Sequence, residues 1–247
     1  MPPASYGICS SRSALAAWLR GLHRMWLRKP RFSVSLLAVL SVMPVTGCNV
    51  FEESWEWNQK LTVEVLVDGR VVSGSAVSFV HWDEPNALGN YGTDYRGEAT
   101  VVDLGERGML FALIGEGTKY IARDTLRNEL GERLYEKLFP KIEQFRGTRE
   151  VPRDNYPLLV KFDNIKDPAT IKRVDPENLA ASFGPDVLLN RITLTITDEP
   201  ATEGTLEKLL PWWSAFYNRQ LDGNRYRSAN SKHEFANSLN LLNFARD

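Results

Sequence analysis

The amino-acid sequence predicts an α+β domain: an antiparallel, β-rich core, sandwich-like in its N-terminal part, with one main helix near residues 118–139. Three observations carry this. Apolar and polar residues alternate over 60–67, with Leu61, Val63, Val65 and Val67 on one face and Thr62, Glu64 and Leu66 on the other. That period of two marks a half-buried strand. Asp68-Gly69 follows, and Val71-Val72 resumes β character, the pattern of a two-residue hairpin turn. Further on, Leu126, Leu130, Leu134 and Leu138 recur every four residues, as on one side of a helix.

The other elements follow in chain order. Residues 49–57 form a short acidic tether with Glu52, Glu53 and Glu56. Its Phe51, Trp55 and Trp57 are expected to start the fold, with a place at the lipid headgroup level as the alternative. The second strand runs on through Ser73–Trp82, where Gly74 reads as a bulge or a close strand approach. Asn86–Gly97 reads as a loop rich in Gly, Asn and Asp. Gly97–Leu104 and Met109–Ile114 read as two strands joined at Gly105-Glu106-Arg107-Gly108. The helix is expected to start near Thr118 and to stop at Pro140. Gly131 weakens it by about 1 kcal/mol, and a break near Asp124 would give two shorter helices. Leu158–Phe162 and Val187–Thr197 read as strands, with a turn-rich stretch, Asp163–Pro185, between them. Thr205–Leu210 reads as a short helix closed by Pro211, and Trp212, Trp213, Phe216 and Tyr217 follow as an aromatic cluster. His233–Phe244 has a faint helical pattern in Phe235, Leu239 and Leu242. There is no internal repeat.

Charge is distributed unevenly. The first 47 residues hold six basic groups (Arg12, Arg20, Arg24, Arg28, Lys29 and Arg31) and no acidic one. The rest of the chain holds 24 basic against 31 acidic groups, a net of −7. That balance argues against a nucleic-acid partner, which calls for a basic face. It also argues against a polybasic surface on anionic lipid. The two cysteines are Cys9 and Cys48, so no disulfide can form within the chain beyond Cys48.

Residues 25–48 carry a cationic stretch through Arg31, an apolar run from Phe32 to Met43 and a small-residue end at Pro44-Val45-Thr46-Gly47-Cys48. This is the layout of a signal peptide. The run is too short to span a bilayer, which takes roughly 20 residues. Val45-Thr46-Gly47-Cys48 resembles the lipobox of bacterial lipoproteins. Gly47 and Cys48 match that pattern, whereas Val45 and Thr46 depart from its commoner Leu and Ala/Ser. The resemblance implies cleavage between Gly47 and Cys48, lipid on the Cys48 thiol and an acyl chain on the new amino group. Two or more acyl chains give stable anchoring where one does not. Residues 1–24 then lie upstream of a complete signal beginning at Met25, and 58–247 form a single extracytoplasmic domain in the cell envelope. In Gram-negative lipoproteins an Asp after the lipidated cysteine often marks inner-membrane retention, so Asn49 leans toward the outer membrane. Residues 60–104 also resemble, in their turn chemistry alone, the prealbumin-like regulatory β-sandwich. The shared cues are Asp68-Gly69, Ser73-Gly74-Ser75-Ala76-Val77 and Thr93-Asp94 with Gly97-Glu98-Ala99.

Catalytic signatures are sparse. After Cys48 the histidines are His81 and His233, too few for a zinc site, and no metal or cofactor is expected. Ser73-Gly74-Ser75 lacks the spacing of a nucleophile elbow. His81 lies close in sequence to Asp83 and Glu84, which could orient an imidazole. Gly115-Glu116-Gly117-Thr118-Lys119 reads as a helix start, because Glu116 would oppose a bound phosphate there. The cluster Trp212, Trp213, Phe216 and Tyr217 is the candidate surface for a polysaccharide or an envelope protein, with closure of the core as the plainer reading. The expected function is therefore a non-enzymatic binding or assembly lipoprotein. An envelope hydrolase comes second, and an adaptor subunit of a transport or secretion complex third.

Overall fold

The alternating segment is longer than its sequence signal. In a computed structural model, which describes residues 53–246, the strand it belongs to begins six positions after Cys48. In chain order the elements are β1 (Ser54–Val67), β2 (Arg70–Asp83), β3 (Thr93–Glu98), β4 (Thr100–Asp103), β5 (Met109–Ala112), α1 (Ile121–Leu130), α2 (Tyr135–Gln144), β6 (Gly147–Glu150), β7 (Leu159–Phe162), β8 (Ile171–Arg173), α3 (Ala180–Phe183), β9 (Val187–Thr197), α4 (Thr205–Leu209), α5 (Glu234–Asn237) and β10 (Ala245–Arg246). Residues 1–24, the signal-like segment, Gly47, Cys48 and Phe51 lie outside the described residues.

β1 and β2 form a hairpin closed at Asp68-Gly69, where both residues take positive φ, 51° and 76°. That geometry matches the twist of the flanking strands and favours this residue pair. Trp55 and Trp57 extend the inward face of Val63 and Val65 and are buried against Phe139. They therefore start the fold and do not sit at a headgroup layer, and the domain begins near residue 54 instead of 58.

Among the described residues, ten strands make two antiparallel sheets, one in the order β10-β3-β2-β1-β9-β6 and one in the order β4-β5-β7-β8. The chain is thus an α+β, β-rich fold. The segment expected as one strand over Gly97–Leu104 is split at Ala99, where the chain passes from one sheet to the other. At Gly74 of β2 the backbone of β4 approaches closely. A Cβ at that position would lie 1.8 Å from the Val101 carbonyl oxygen.

The first core lies between the inner face of the six-stranded sheet, the helices α1 and α2, and one face of the smaller sheet. It contains Val63, Val80, Trp82, Val102, Leu110, Leu126, Phe139 and Ile192. The second core covers the opposite face of the smaller sheet, where Phe111, Val160 and Ile171 meet Leu206, Leu210, Leu221, Leu239 and Phe244 from the C-terminal segment.

The expected single helix over 118–139 is two helices. Gly131 takes a left-handed conformation, φ 70°, and its N–H donates to the Arg127 carbonyl at 3.1 Å. Glycine closes helices this way because it lacks the Cβ that penalises left-handed backbone. The break thus falls at Gly131 and not near Asp124. Pro140 lies inside α2 instead of ending a helix. Of the four spaced leucines, Leu126 and Leu138 are buried while Leu134 is exposed at the interhelix turn. The stretch Asp163–Pro185 contains β8 and α3, and β3 begins within the expected loop Asn86–Gly97.

On the outer face of the large sheet, Arg191 from β9 grips Glu64 of β1 with two 2.9 Å bonds, and Asn190 donates a third at 2.9 Å. Hydrogen bonding from Arg191 holds the Glu64 carboxyl below its ordinary value of 4.5. A depressed carboxyl stabilises the fold above its unfolded pKa and loses that contribution as pH falls through the folded value. Urea midpoints of the parent and of Glu64→Gln should therefore differ near pH 7 and converge as pH drops below 4.5. A gap that stays constant with pH would refute the assignment.

Candidate functional site

A cleft forms where β5 gives way to α1. Past β5 the buried Leu113 and Ile114 run into Gly115-Glu116-Gly117. Thr118 closes this turn: its hydroxyl accepts the Gly115 N–H at 3.0 Å, and its own N–H donates to the Gly115 carbonyl at 2.9 Å. The turn is tied to the large sheet through a buried amide. The Trp57 indole N–H donates to Gln59 Oε1 at 3.1 Å, and Gln59 Nε2 donates to the Thr118 carbonyl at 2.8 Å. Residues 118–120 form a single 3-10 turn leading into α1. The segment is a helix start, as its sequence suggests. Glu116 bonds Lys119 and Arg246 there, which draws its carboxyl below 4.5.

Arg123 and Asp124 of α1, residues 154–158 ahead of β7 and Asn243 complete the lining. Arg123 donates to both oxygens of Asp124, at 2.7 and 2.9 Å, and to the Tyr135 hydroxyl at 2.6 Å. Its guanidinium also lies 4.3 Å from the Tyr120 ring centroid. Burial would lower the Arg123 pKa, but the bonds to Asp124 more than offset it and the net direction is upward. On the other wall the Leu158 carbonyl accepts the Leu113 N–H at 2.9 Å, holding that segment against the β5 extension. Tyr156 is partly withdrawn from water, and burial raises its phenol. The cavity measures about 440 Å³, within the range of roughly 300–1,000 Å³ typical of ligand pockets.

The floor is apolar (Ile114, Ile121, Pro157, Leu158) and the rim polar (Arg123, Asp154, Asn155). Among the described residues, neither a histidine nor a cysteine lines the cleft. Asp124 and Asp154 both do, and Asp124 is engaged by the Arg123 guanidinium at both oxygens. Arg123→Ala should destabilise the domain by about 2 kcal/mol, because it strands Asp124 and removes charge-assisted bonds. Equal urea midpoints for variant and parent would show the cluster to be unimportant.

The residues singled out in the sequence fall elsewhere. Trp212 and Trp213 do not form an exposed platform, being 6% and 8% exposed. Trp212 packs edge-on against Phe216 and Phe244 and donates its indole N–H to the Ile165 carbonyl at 2.8 Å. The smaller sheet presents Phe111 and Phe162 on its outer face, and burying that surface draws the tryptophans in. Phe216 is partly buried in the same cluster. Tyr217 is 62% exposed and, with Trp213, lines a second cleft. His81 lies on the outer sheet face, 2.9 Å from Asp83 and 3.9 Å from Glu56, and lines neither cleft. His233 precedes α5 and is exposed. Ser73 and Ser75 point away from the core beside Gly74. Among the described residues no group of three or more His, Cys, Asp or Glu is placed to hold a metal.

Sequence reading missed Arg123, Asp124, Asn155 and Tyr156. The one legible signal was Tyr120-x-x-Arg123, a spacing that places an aromatic ring and a cation together on a helix. Comparisons with protein-family models, with curated proteins and with solved structures find no match for this chain.

Proposed function

We propose that this chain is a membrane-anchored cell-envelope lipoprotein whose domain binds a ligand in the cleft between Thr118–Asp124 and residues 154–158. The observation that supports binding is the cleft itself, an apolar floor with a polar rim whose Arg123 is held in place by Asp124 and Tyr135 before any ligand arrives. Such preorganisation lowers the entropy lost on association. The anchoring half of the proposal rests on Val45-Thr46-Gly47-Cys48 and on the start of β1 at Ser54, which leaves only a few residues between lipid and fold. At up to about 3.6 Å per residue, that spacing would hold the domain close to the bilayer, on the outer side of the cytoplasmic membrane or on the outer membrane.

Each half has its own test. Cells fed a palmitate analogue should label the parent chain and leave Cys48→Ala unlabelled, and equal labelling of both would end the lipoprotein reading. For the cleft, a photo-crosslinking residue at position 156 should yield a discrete adduct in living cells, and Leu158→Arg should abolish it. No adduct, or one indifferent to Leu158→Arg, would remove the cleft as the binding site.

Asp124 and Asp154 on one cleft support a second reading, an envelope hydrolase acting on wall polysaccharide. It requires that Asp154→Asn abolish release of soluble sugar from purified wall material while leaving the fold intact. An adaptor subunit, the remaining alternative, should co-purify with a fixed partner from solubilised membranes.

A further inference from the structure

The second cleft, about 280 Å³, lies at the C-terminal end of the described chain and shares no lining residue with the first. Its volume falls just short of the range for drug-sized ligands, so it takes a body of one or two rings. One wall is aromatic, built by Trp213 and the exposed Tyr217. The rim supplies planar polar side chains, among them Asn218, Arg219, Gln220 and Asn240.

The electrostatics narrow the ligand. Both cations at the rim are already engaged, Arg246 with Glu116 at 2.8 Å and Arg219 with the Gly223 carbonyl at 3.1 Å. Glu207 faces the same space, and so does Glu98, whose oxygens accept the Thr205 and Leu206 N–H groups at 3.0 and 3.2 Å. A cleft with two engaged cations and two carboxylates gives an anion no net attraction. Asn240 Oδ1 already accepts the Leu242 N–H at 3.0 Å, but a wholly apolar ligand would leave the Asn218 amide at the rim unpaired, at a cost of about 1–3 kcal/mol once buried.

An uncharged sugar satisfies both conditions. The C–H face of a pyranose packs on an aromatic ring. Its neighbouring hydroxyls each donate and accept, which planar amide and guanidinium groups can read in pairs. The side-chain amide of Asn218 suits an amide on the ligand. We infer that this cleft binds an uncharged N-acetylated pyranoside, stacked on the exposed Tyr217 ring beside the edge of Trp213 and hydrogen-bonded by Asn218 and Arg219. It is a site separate from the larger cleft and independent of the reading given to that one.

The test is calorimetric titration of the full chain, in a sugar-free detergent, with the N-acetylglucosamine tetramer. Saturable binding is expected, weakened about tenfold or more by Tyr217→Ala, whose exposed ring can be removed without opening the core, and also weakened by Arg219→Ala. Leu158→Arg in the larger cleft should leave it unchanged. The inference fails if the tetramer gives no saturable heat at millimolar concentration. It also fails if Tyr217→Ala and Arg219→Ala bind like the parent, or if Leu158→Arg removes the binding and places the sugar in the other cleft.

Discussion

Replacing Gly74 by alanine should lower the melting temperature by roughly 6–12 °C, taking about 2–4 °C per kcal/mol for a domain of this size. Gly74 sits on the inner face of β2 opposite Val63, where β4 crosses from the second sheet. The added Cβ would meet the Val101 carbonyl oxygen at 1.8 Å, its carbon at 2.7 Å and the Val102 Cα at 3.2 Å. All three atoms are backbone, so no rotamer change can relieve the overlap. The sheets would have to separate by more than 1 Å where Val63 and Val102 are fully buried, forfeiting dispersion contacts along the seam. Overpacking typically costs 1–3 kcal/mol, and a backbone clash belongs at about 3 kcal/mol, a large share of the 5–15 kcal/mol that holds a domain together. Gly117→Ala is the control, since nothing lies within 4 Å of its added Cβ and its φ is not left-handed. Thermal melts by circular dichroism decide the matter. A Gly74→Ala melt within a degree or two of the Gly117→Ala melt would mean that the seam is soft.

The second large effect is expected at Phe139, which is fully buried on α2. Its ring centroid lies 5.5 Å from Trp55, 5.6 Å from Trp57, 5.0 Å from Trp82 and 4.8 Å from Tyr135. It is the aromatic hub between α2 and the β1–β2 hairpin. Phe139→Ala should lose about 3–5 kcal/mol, the usual range for emptying a buried aromatic site. Because three tryptophans surround the ring, the near-ultraviolet circular dichroism should fall much more than the far-ultraviolet signal. Phe139→Leu keeps most of the volume and should retain more than half of the lost stability. A loss under 1 kcal/mol for Phe139→Ala would show that α2 is not held through this ring.

Much of the first sheet was readable in advance. The alternation at Leu61, Val63, Val65 and Val67 and the Asp68-Gly69 turn are local signals, and local signals survive whatever the rest of the chain does. Val187–Thr197 is a strand over the same residues in sequence and in structure, because its β-branched run is bounded by Asp186 and by Asp198-Glu199-Pro200. Gly74 was legible as a close approach, although not which segment approaches. β6, β8 and β10 were missed because each is only two to four residues long. Such edge strands are defined by the strand they join and not by their own pattern.

The candidate sites divide along the same line. Cys48 and Gly47 stand out through adjacent residues in a fixed order, so that reading needs no tertiary contact. The larger cleft draws Gly115, Arg123, Asn155 and Asn243 from distant parts of the chain, and nothing in their sequence neighbourhoods marks them. Trp212, Trp213, Phe216 and Tyr217 are the instructive middle case. Their run identifies an aromatic segment but not its direction.

By itself, then, the sequence determined an antiparallel β-rich class, the position of the main hairpin and an acidic chain beyond Cys48, and it carries the lipobox-like spacing on which the proposed anchoring rests. These depend on spacing and composition over short distances. Only the tertiary structure decided that the chain changes sheets at Ala99 and that Gly131 divides the helix. It also decided that Trp212 turns inward while Tyr217 remains in solvent beside Trp213. The physical reason is that burial is a property of a surface and its cover. The outer face of the smaller sheet exists only once β4, β5, β7 and β8 have assembled, and only then is there an apolar surface for the tryptophans to close.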